Sequence, residues 1–264
     1  MTSTGGSDGP MAATTRRSEP APGRGQRSRG QAHRDDGATL QRFDGAERVI
    51  HWTNAVLFAV MIVTAGCLYF GPLSTLVGRR ELVKNIHVYA GLLLPVPILA
   101  GLLVRGWGRA FRADVRRLNR FLPDDGRWLR SLGRDRTALL GKFNPGQKLN
   151  AAFTAGAIVV MLASGSVMRW FAPFPLAWRT GATFVHDTLF VLLVLAISGH
   201  IIFATRDRES LGGMQEGWVS ASWARRHHPR WVSELTGPGA EAGAGAIALG
   251  PPEATARPPR STAD

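Results

Sequence analysis

Two histidines, His186 and His200, lie 14 residues apart in the stretch 183–204, TFVHDTLFVLLVLAISGHIIFA, where Asp187 is the only formal charge. The stretch is 22 residues long and apolar, which suits a helix that crosses a bilayer. At 3.6 residues per turn a 14-residue step returns to within about 40° of one helix face, and it rises roughly 21 Å along the axis. An imidazole near each end of one stripe suits axial ligation of two cofactors, one beneath each membrane surface. A lone histidine on an apolar helix is more often a core residue bonded to a carbonyl or hydroxyl. The ligand reading therefore depends on partners at the same two depths.

Two further histidines sit in apolar blocks. His51 lies near the start of 49–70 and His87 near the start of 86–104; a fourth block, 149–168, has no histidine. Pro95 and Pro97 interrupt the second block, as membrane spans tolerate. The Ala, Gly and Ser residues of 149–168 allow close helix contact. These blocks, with 183–204, predict an all-α membrane protein built as a four-transmembrane-helix bundle.

Orientation follows from the basic residues. The segment 105–148 holds 12 basic and 4 acidic residues, whereas the other two loops carry few charges, among them Arg79, Arg80 and Lys84 in one and Arg169 and Arg179 in the other. Positive loops remain cytoplasmic, so both termini are expected there. The basic segments 206–208 and 225–230 agree with that placement.

Topology then pairs the histidines. Span one begins on the cytoplasmic side, where span four ends, so His51 and His200 share one depth. Spans two and four both begin on the outer side, so His87 and His186 share the other. Two neutral imidazoles from facing helices suit haem b in the core of a helix bundle, giving two b haems. Zinc would want about four ligands at one depth. A relay of buried histidines carrying protons competes with the haem reading, although relays usually add carboxylates and only Asp187 qualifies. Asp187 points about 100° away from its neighbour His186 and suits a cap at the start of the fourth helix.

The run Gly141-Lys142-Phe143-Asn144-Pro145-Gly146-Gln147-Lys148 precedes the third span. Its amides, at the depth of His51 and His200, could donate to a small carbonyl or hydroxyl ligand. The same run reads as a helix start, with Asn144 as N-cap and Pro145 in the first helical position.

Composition excludes several classes. The chain has 264 residues, 45% hydrophobic, with 32 Lys and Arg against 19 Asp and Glu, a net charge of +13. No zinc-finger spacing, basic heptad helix or aromatic single-strand platform accompanies that charge, so no nucleic-acid partner is expected. The single cysteine, Cys67, precludes a disulfide framework or an iron-sulfur cluster built from this chain alone. The Arg16-Arg17 pair is followed by no apolar stretch until about Val49, too far for a cleavable leader. Residues 1–40 and 236–264 are rich in Gly, Pro, Ala and polar residues and are expected to be disordered tails. Residues 41–235 form the expected domain. In its last part His227 and His228, with Trp218, Trp223 and Trp231, are expected to rest at lipid headgroups. His33, in the N-terminal tail, is incidental.

With these motifs assembled, the chain resembles the gamma subunit of respiratory formate dehydrogenase, a cytochrome b. The resemblance rests on Glu47-Arg48-Val49-Ile50-His51-Trp52, on GKFNPGQK at 141–148, on the histidine pair 14 apart, and on Met214-Gln215-Glu216-Gly217 leading into the Trp223–Trp231 segment. It covers roughly residues 41–235. It implies an anchor in the bacterial inner membrane with two b haems, docked to an iron-sulfur beta subunit that is fed by a molybdenum- or tungsten-containing alpha subunit. It assigns one haem to His87 and His186 and the other to His51 and His200. It places a quinone, menaquinone or ubiquinone, beside the cytoplasmic haem at Asn144, Gly146 and His200, with Gln147 adjacent. Pro145 departs from the small residue usual between that Asn and Gly. A similar anchor serving a hydrogenase or a thiosulfate or polysulfide reductase is the nearest alternative, and a haem-free scaffold or transporter is another.

Overall fold

A computed structural model describes residues 38–237. Four helices in it are long and apolar enough to cross a membrane, and the molecule is a multi-pass membrane protein. The tails expected over 1–40 and 236–264 lie outside the described residues except at their inner edges. There residues 39–40 are ordered in a strand and Thr236 ends a helix.

The first spanning helix, α1 (Gly45–Tyr69), starts before its apolar block because a capping box precedes it. The Asp44 carboxylate accepts the Glu47 N–H and the Glu47 carboxylate accepts the Asp44 N–H, each at 2.8 Å. A short helix α2 (Gly71–Val77) follows and ends at Gly78, which takes a left-handed conformation, φ 64°. Across this turn Arg80 donates to the Leu68 carbonyl at 3.1 Å, satisfying one of the last acceptors of α1.

The second span is made of two helices, α3 (Arg80–Leu93) and α4 (Pro95–Leu103), which abut at Leu94. Pro95 and Pro97 have no N–H to return to the preceding turn, which accounts for the break. Arg112 reaches back from the next segment to the Gly101 and Val104 carbonyls, each at 3.1 Å, and to Arg105 at 2.6 Å. A cation thus closes the negative end of α4.

The loop expected between spans two and three contains two helices, α5 (Arg109–Leu118) and α6 (Pro123–Arg130). The third span, α7 (Pro145–Arg169), begins at a second capping box, from Asn144 and Gln147. The fourth, α8 (Leu176–Arg206), has 31 residues and rises about 46 Å, more than the ~30 Å of bilayer hydrocarbon. It starts seven residues before its apolar block. Arg179, whose guanidinium lies 4.7 Å from the Phe171 ring, masks this amphipathic first part in a hydropathy reading.

In the bundle α1 packs on α3 and α7 on α8, while α3 also meets α7. Ala157, Met161 and Leu193 form the buried apolar centre, with Phe58 reaching it from α1. The outward faces carry Val56, Val63, Val159, Phe184, Val191, Leu195 and Phe203, an apolar surface suited to lipid.

The remaining elements gather at one end of the bundle, opposite α2. Strand β1 (Thr39–Gln41), before α1, pairs antiparallel with β2 (Trp218–Ser220), after α8, in the register Leu40 opposite Val219. Helices α9 (Arg208–Gln215), α10 (Ala221–His227) and α11 (Pro229–Thr236) complete a cap. Leu40, Val219, Ala221, Trp223, Ala224 and Trp231 form its core. This corrects the expectation that the tryptophan segment rests on headgroups. Trp223 and Trp231 are buried among protein side chains, because the strand upstream of α1 supplies an apolar partner that local sequence does not reveal.

Candidate functional site

The histidine on α1, His51, faces the one near the end of α8, His200. Their ring centroids are 6.1 Å apart, with planes inclined at 62°. At the other end of the bundle His87, on α3, faces His186, on α8, at 6.3 Å and 65°. Each pair joins side chains from helices that are not neighbours in sequence. The two pairs are separated along α8 by the 14-residue step, roughly 21 Å.

The spacing of each pair has a chemical meaning. Two imidazoles bound through nitrogen at about 2.0 Å on opposite sides of one metal ion have ring centroids roughly 6.3 Å apart. Both observed separations match that arrangement. Among the described residues no group of three or more His, Cys, Asp or Glu converges as a metal site. A metal held here must bring its remaining ligands with it, as a porphyrin does.

The His87–His186 pair is also hydrogen-bonded through Nδ1. His87 Nδ1 is 2.9 Å from the Thr64 hydroxyl on α1, and His186 Nδ1 is 3.0 Å from the Ser164 hydroxyl on α7. Each hydroxyl donates its own proton backwards along its helix, Thr64 to the Val60 carbonyl at 2.7 Å and Ser164 to the Val160 carbonyl at 2.8 Å. Each therefore accepts from an Nδ1–H, and Nε2 is the nitrogen left with a lone pair. Gly165 permits the close approach on α7, since a Cβ there would lie 3.3 Å from His186 Cε1. Sequence reasoning missed Thr64 and Ser164. A shared run, Val60-Met61-x-x-Thr64 and Val160-Met161-x-x-Ser164, was the available signal.

Asp187 lies well inside α8, which begins at Leu176, so it does not cap that helix as expected. The apolar block began so close to Asp187 that the true helix start was hidden.

In the 141–148 loop the Asn144 side-chain oxygen accepts the Gln147 N–H, and the Gln147 side-chain oxygen accepts the Asn144 N–H, each at 2.9 Å. Among the described residues nothing engages the two NH2 groups, which stay available as donors. A Cβ on Gly146 would lie 3.3 Å from Asn144 Oδ1 and 3.6 Å from the Trp128 ring, so glycine lets the cap close under that tryptophan. Asn144, at the start of α7, and His200, near the end of α8, belong to the same end of this antiparallel pair.

A set of buried ionic groups, absent from the sequence reading, holds this loop. Lys142 pairs with Asp114, and its ammonium is 3.6 Å from Glu47. Lys148 pairs with Asp125 at 2.5 Å and donates to the Arg120 carbonyl at 2.9 Å. Arg42, 2% exposed, donates to the Lys142 carbonyl at 3.4 Å and to Ser210 at 3.1 Å, and lies 4.7 Å from the Trp223 ring. Burial lowers its pKa to about 10, against the pull of Asp207 and Asp114. His228 Nδ1 donates to the Gly141 carbonyl at 2.6 Å, and burial, with Arg42 nearby, pushes its pKa down to about 3. It is therefore neutral at ordinary pH and is a loop anchor within the cap, not the headgroup contact expected of it.

Two motifs far apart in sequence meet at this end. Arg48 donates to the Gln215 carbonyl at 2.8 Å and the Trp52 indole to the Met214 carbonyl at 3.2 Å. The Gly217 carbonyl accepts from the N–H groups of Arg42 and Phe43, at 2.8 and 3.1 Å.

Comparison with known proteins gives one family match, prokaryotic cytochrome b561, over residues 42–215. The chain is 29% identical over 209 residues, 75% of its length and 93% of the relative's, to the formate dehydrogenase cytochrome b556(fdo) subunit of Escherichia coli K12. It is 28% identical over 204 residues, 72% of its length and 88% of the relative's, to the nitrate-inducible formate dehydrogenase cytochrome b556(Fdn) subunit of the same strain. The formate dehydrogenase cytochrome b556 subunit of Haemophilus influenzae is 28% identical over 200 residues, 71% of this chain and 79% of that one.

Proposed function

The chain belongs to the prokaryotic cytochrome b561 family, and from that membership we propose that it is the two-haem cytochrome b subunit of a membrane-bound formate dehydrogenase. The observation that carries the proposal is the pair of facing imidazoles at each end of the bundle, spaced at 6.1 and 6.3 Å. His87 with His186 and His51 with His200 would each hold one b haem through Nε2. When bound, such a group supplies one-electron transfer and leaves proton handling to the protein and the quinone.

The cap end, rich in arginine, is the cytoplasmic one in this reading, and both termini lie there in the inner membrane. An iron-sulfur beta subunit docks at the opposite end and is fed by an alpha subunit that oxidises formate at molybdenum or tungsten. Quinone is reduced at the cap end, where the NH2 groups of Asn144 and Gln147, the Gly146 turn and His200 form the binding site. Protons for that reduction come from the cytoplasm. An electron carried inward against a potential negative inside costs about 2.3 kcal/mol per 100 mV for the full field. The arrangement thus conserves energy when the donor is as strong a reductant as formate.

Reduced-minus-oxidised spectra of single substitutions test the reading. His87→Ala and His186→Ala should each remove the same haem, and His51→Ala and His200→Ala the other, leaving one haem per chain. Loss of one common haem on His51→Ala and His87→Ala would defeat the assignment. Identification of co-purifying subunits distinguishes a formate-oxidising partner from a hydrogenase or a sulfur-compound reductase.

A further inference from the structure

The two histidine pairs are built differently. Both rings of the outer pair have their Nδ1 held by a buried hydroxyl, Thr64 for His87 and Ser164 for His186. Among the described residues no protein group bonds to a ring nitrogen of His51 or His200. The outer arrangement repeats in both halves of the bundle. In each, a helix carrying Val-Met-x-x-hydroxyl places that hydroxyl against the histidine of the helix following it in the bundle, over separations of 23 and 22 residues. Thr64 and Ser164 are 8% and 7% exposed, and their own protons are committed to carbonyls one turn back. Neither hydroxyl can turn to offer its proton to the ring without giving up that bond.

We propose that Thr64 and Ser164 are positioning residues that orient His87 and His186 and make the outer haem the lower-potential site of the two. This rests on the two-haem reading above. An Nδ1–H that donates to an oxygen leaves more electron density on Nε2, and a more basic axial nitrogen favours the ferric over the ferrous state. Two such bonds act on the outer site and, among the described residues, none acts on the inner. The resulting difference favours electron movement from the outer end to the cap end, the direction the proposed function requires against the membrane potential. The hydroxyls also fix the rings before the cofactor arrives, so their removal weakens retention of the outer group by about 10–100-fold.

The test uses the full chain in its membrane complex, with potentiometric titration of both haems and the low-spin ferric electron paramagnetic resonance signal as readouts. Thr64→Val and Ser164→Ala each raise the midpoint potential and alter the ferric signal of the haem lost in His87→Ala, and leave the other haem unchanged. The double variant shifts it further. Thr64→Ser and Ser164→Thr, which keep a hydroxyl, retain the parent potential. Selective loss of the outer haem in a hydroxyl-free variant likewise supports the positioning role. An outer midpoint unmoved in both hydroxyl-free variants, or a shift confined to the inner haem, overturns it. If Thr64→Val does not accumulate, Ser164→Ala decides, and an outer midpoint unmoved in it overturns the proposal. Failure of the underlying reading looks different, since His87→Ala and His186→Ala would then not delete one common haem.

Discussion

At the residue scale the proposed quinone site draws on side chains with one atom engaged in structure and another left unengaged among the described residues. Asn144 and Gln147 spend their side-chain oxygens on the cap of α7 and keep their NH2 groups. Asn144→Ala should leave both haem spectra intact, slow quinone reduction, and cost about 1 kcal/mol of stability through loss of the cap. Unaltered quinone kinetics would count against the binding role. His228 makes a different prediction. Its pKa falls from the usual 6.5 to about 3 on burial, so the unfolded chain binds more protons below neutrality. Its contribution is complete above about pH 6.5 and is lost progressively as pH falls toward 3, with a slope of up to about 1.4 kcal/mol per pH unit. His228→Gln should therefore flatten the acid limb of the melting-temperature profile in detergent, and parallel profiles would refute this. That His51 faces His200 and His87 faces His186 could be read from spacing together with the order of the spans. Arg42, Asp114, Asp125 and His228 could not, because burial of a charge depends on partners tens to more than a hundred residues away.

At the level of elements, spans were legible as apolar runs while their ends were not. Asp44 and Asn144 start α1 and α7 four residues ahead of the hydrophobic blocks, since caps are polar by necessity. Arg179 hid the first turns of α8, and the two short strands carry too few residues to show an alternation. The break at Leu94 was foreshadowed by Pro95 and Pro97. One connection deserves a direct experiment. Gly217, between α9 and β2, has φ 99°, and a Cβ there would sit 2.7 Å from the Phe43 carbonyl. Gly217→Ala should lower the melting temperature and loosen the contact of Arg48 with Gln215, at a cost of about 1–3 kcal/mol. A stability equal to the parent would show that this turn relaxes freely.

On the scale of the molecule, the even number of spans brings the two ends of the described chain to one side, where β1 and β2 pair. The bundle itself buries little, because lipid, not protein, covers its outer faces. Order at the cap end comes from the buried ion pairs and the tryptophan core instead. Segment 105–148, with 12 basic against 4 acidic residues, supplies the larger part of the +13 net charge and packs on that side.

The pairing of β1 with β2 joins residues that precede the first span with residues that follow the fourth, since Leu40 faces Val219. A ribosome must deliver all four spans to the translocon before that ribbon can close. A chain stalled after three spans leaves Leu40 without Val219 and Trp223, and presents an apolar strand edge to chaperones and membrane proteases. Closure of the ribbon therefore depends on all four spans having been threaded.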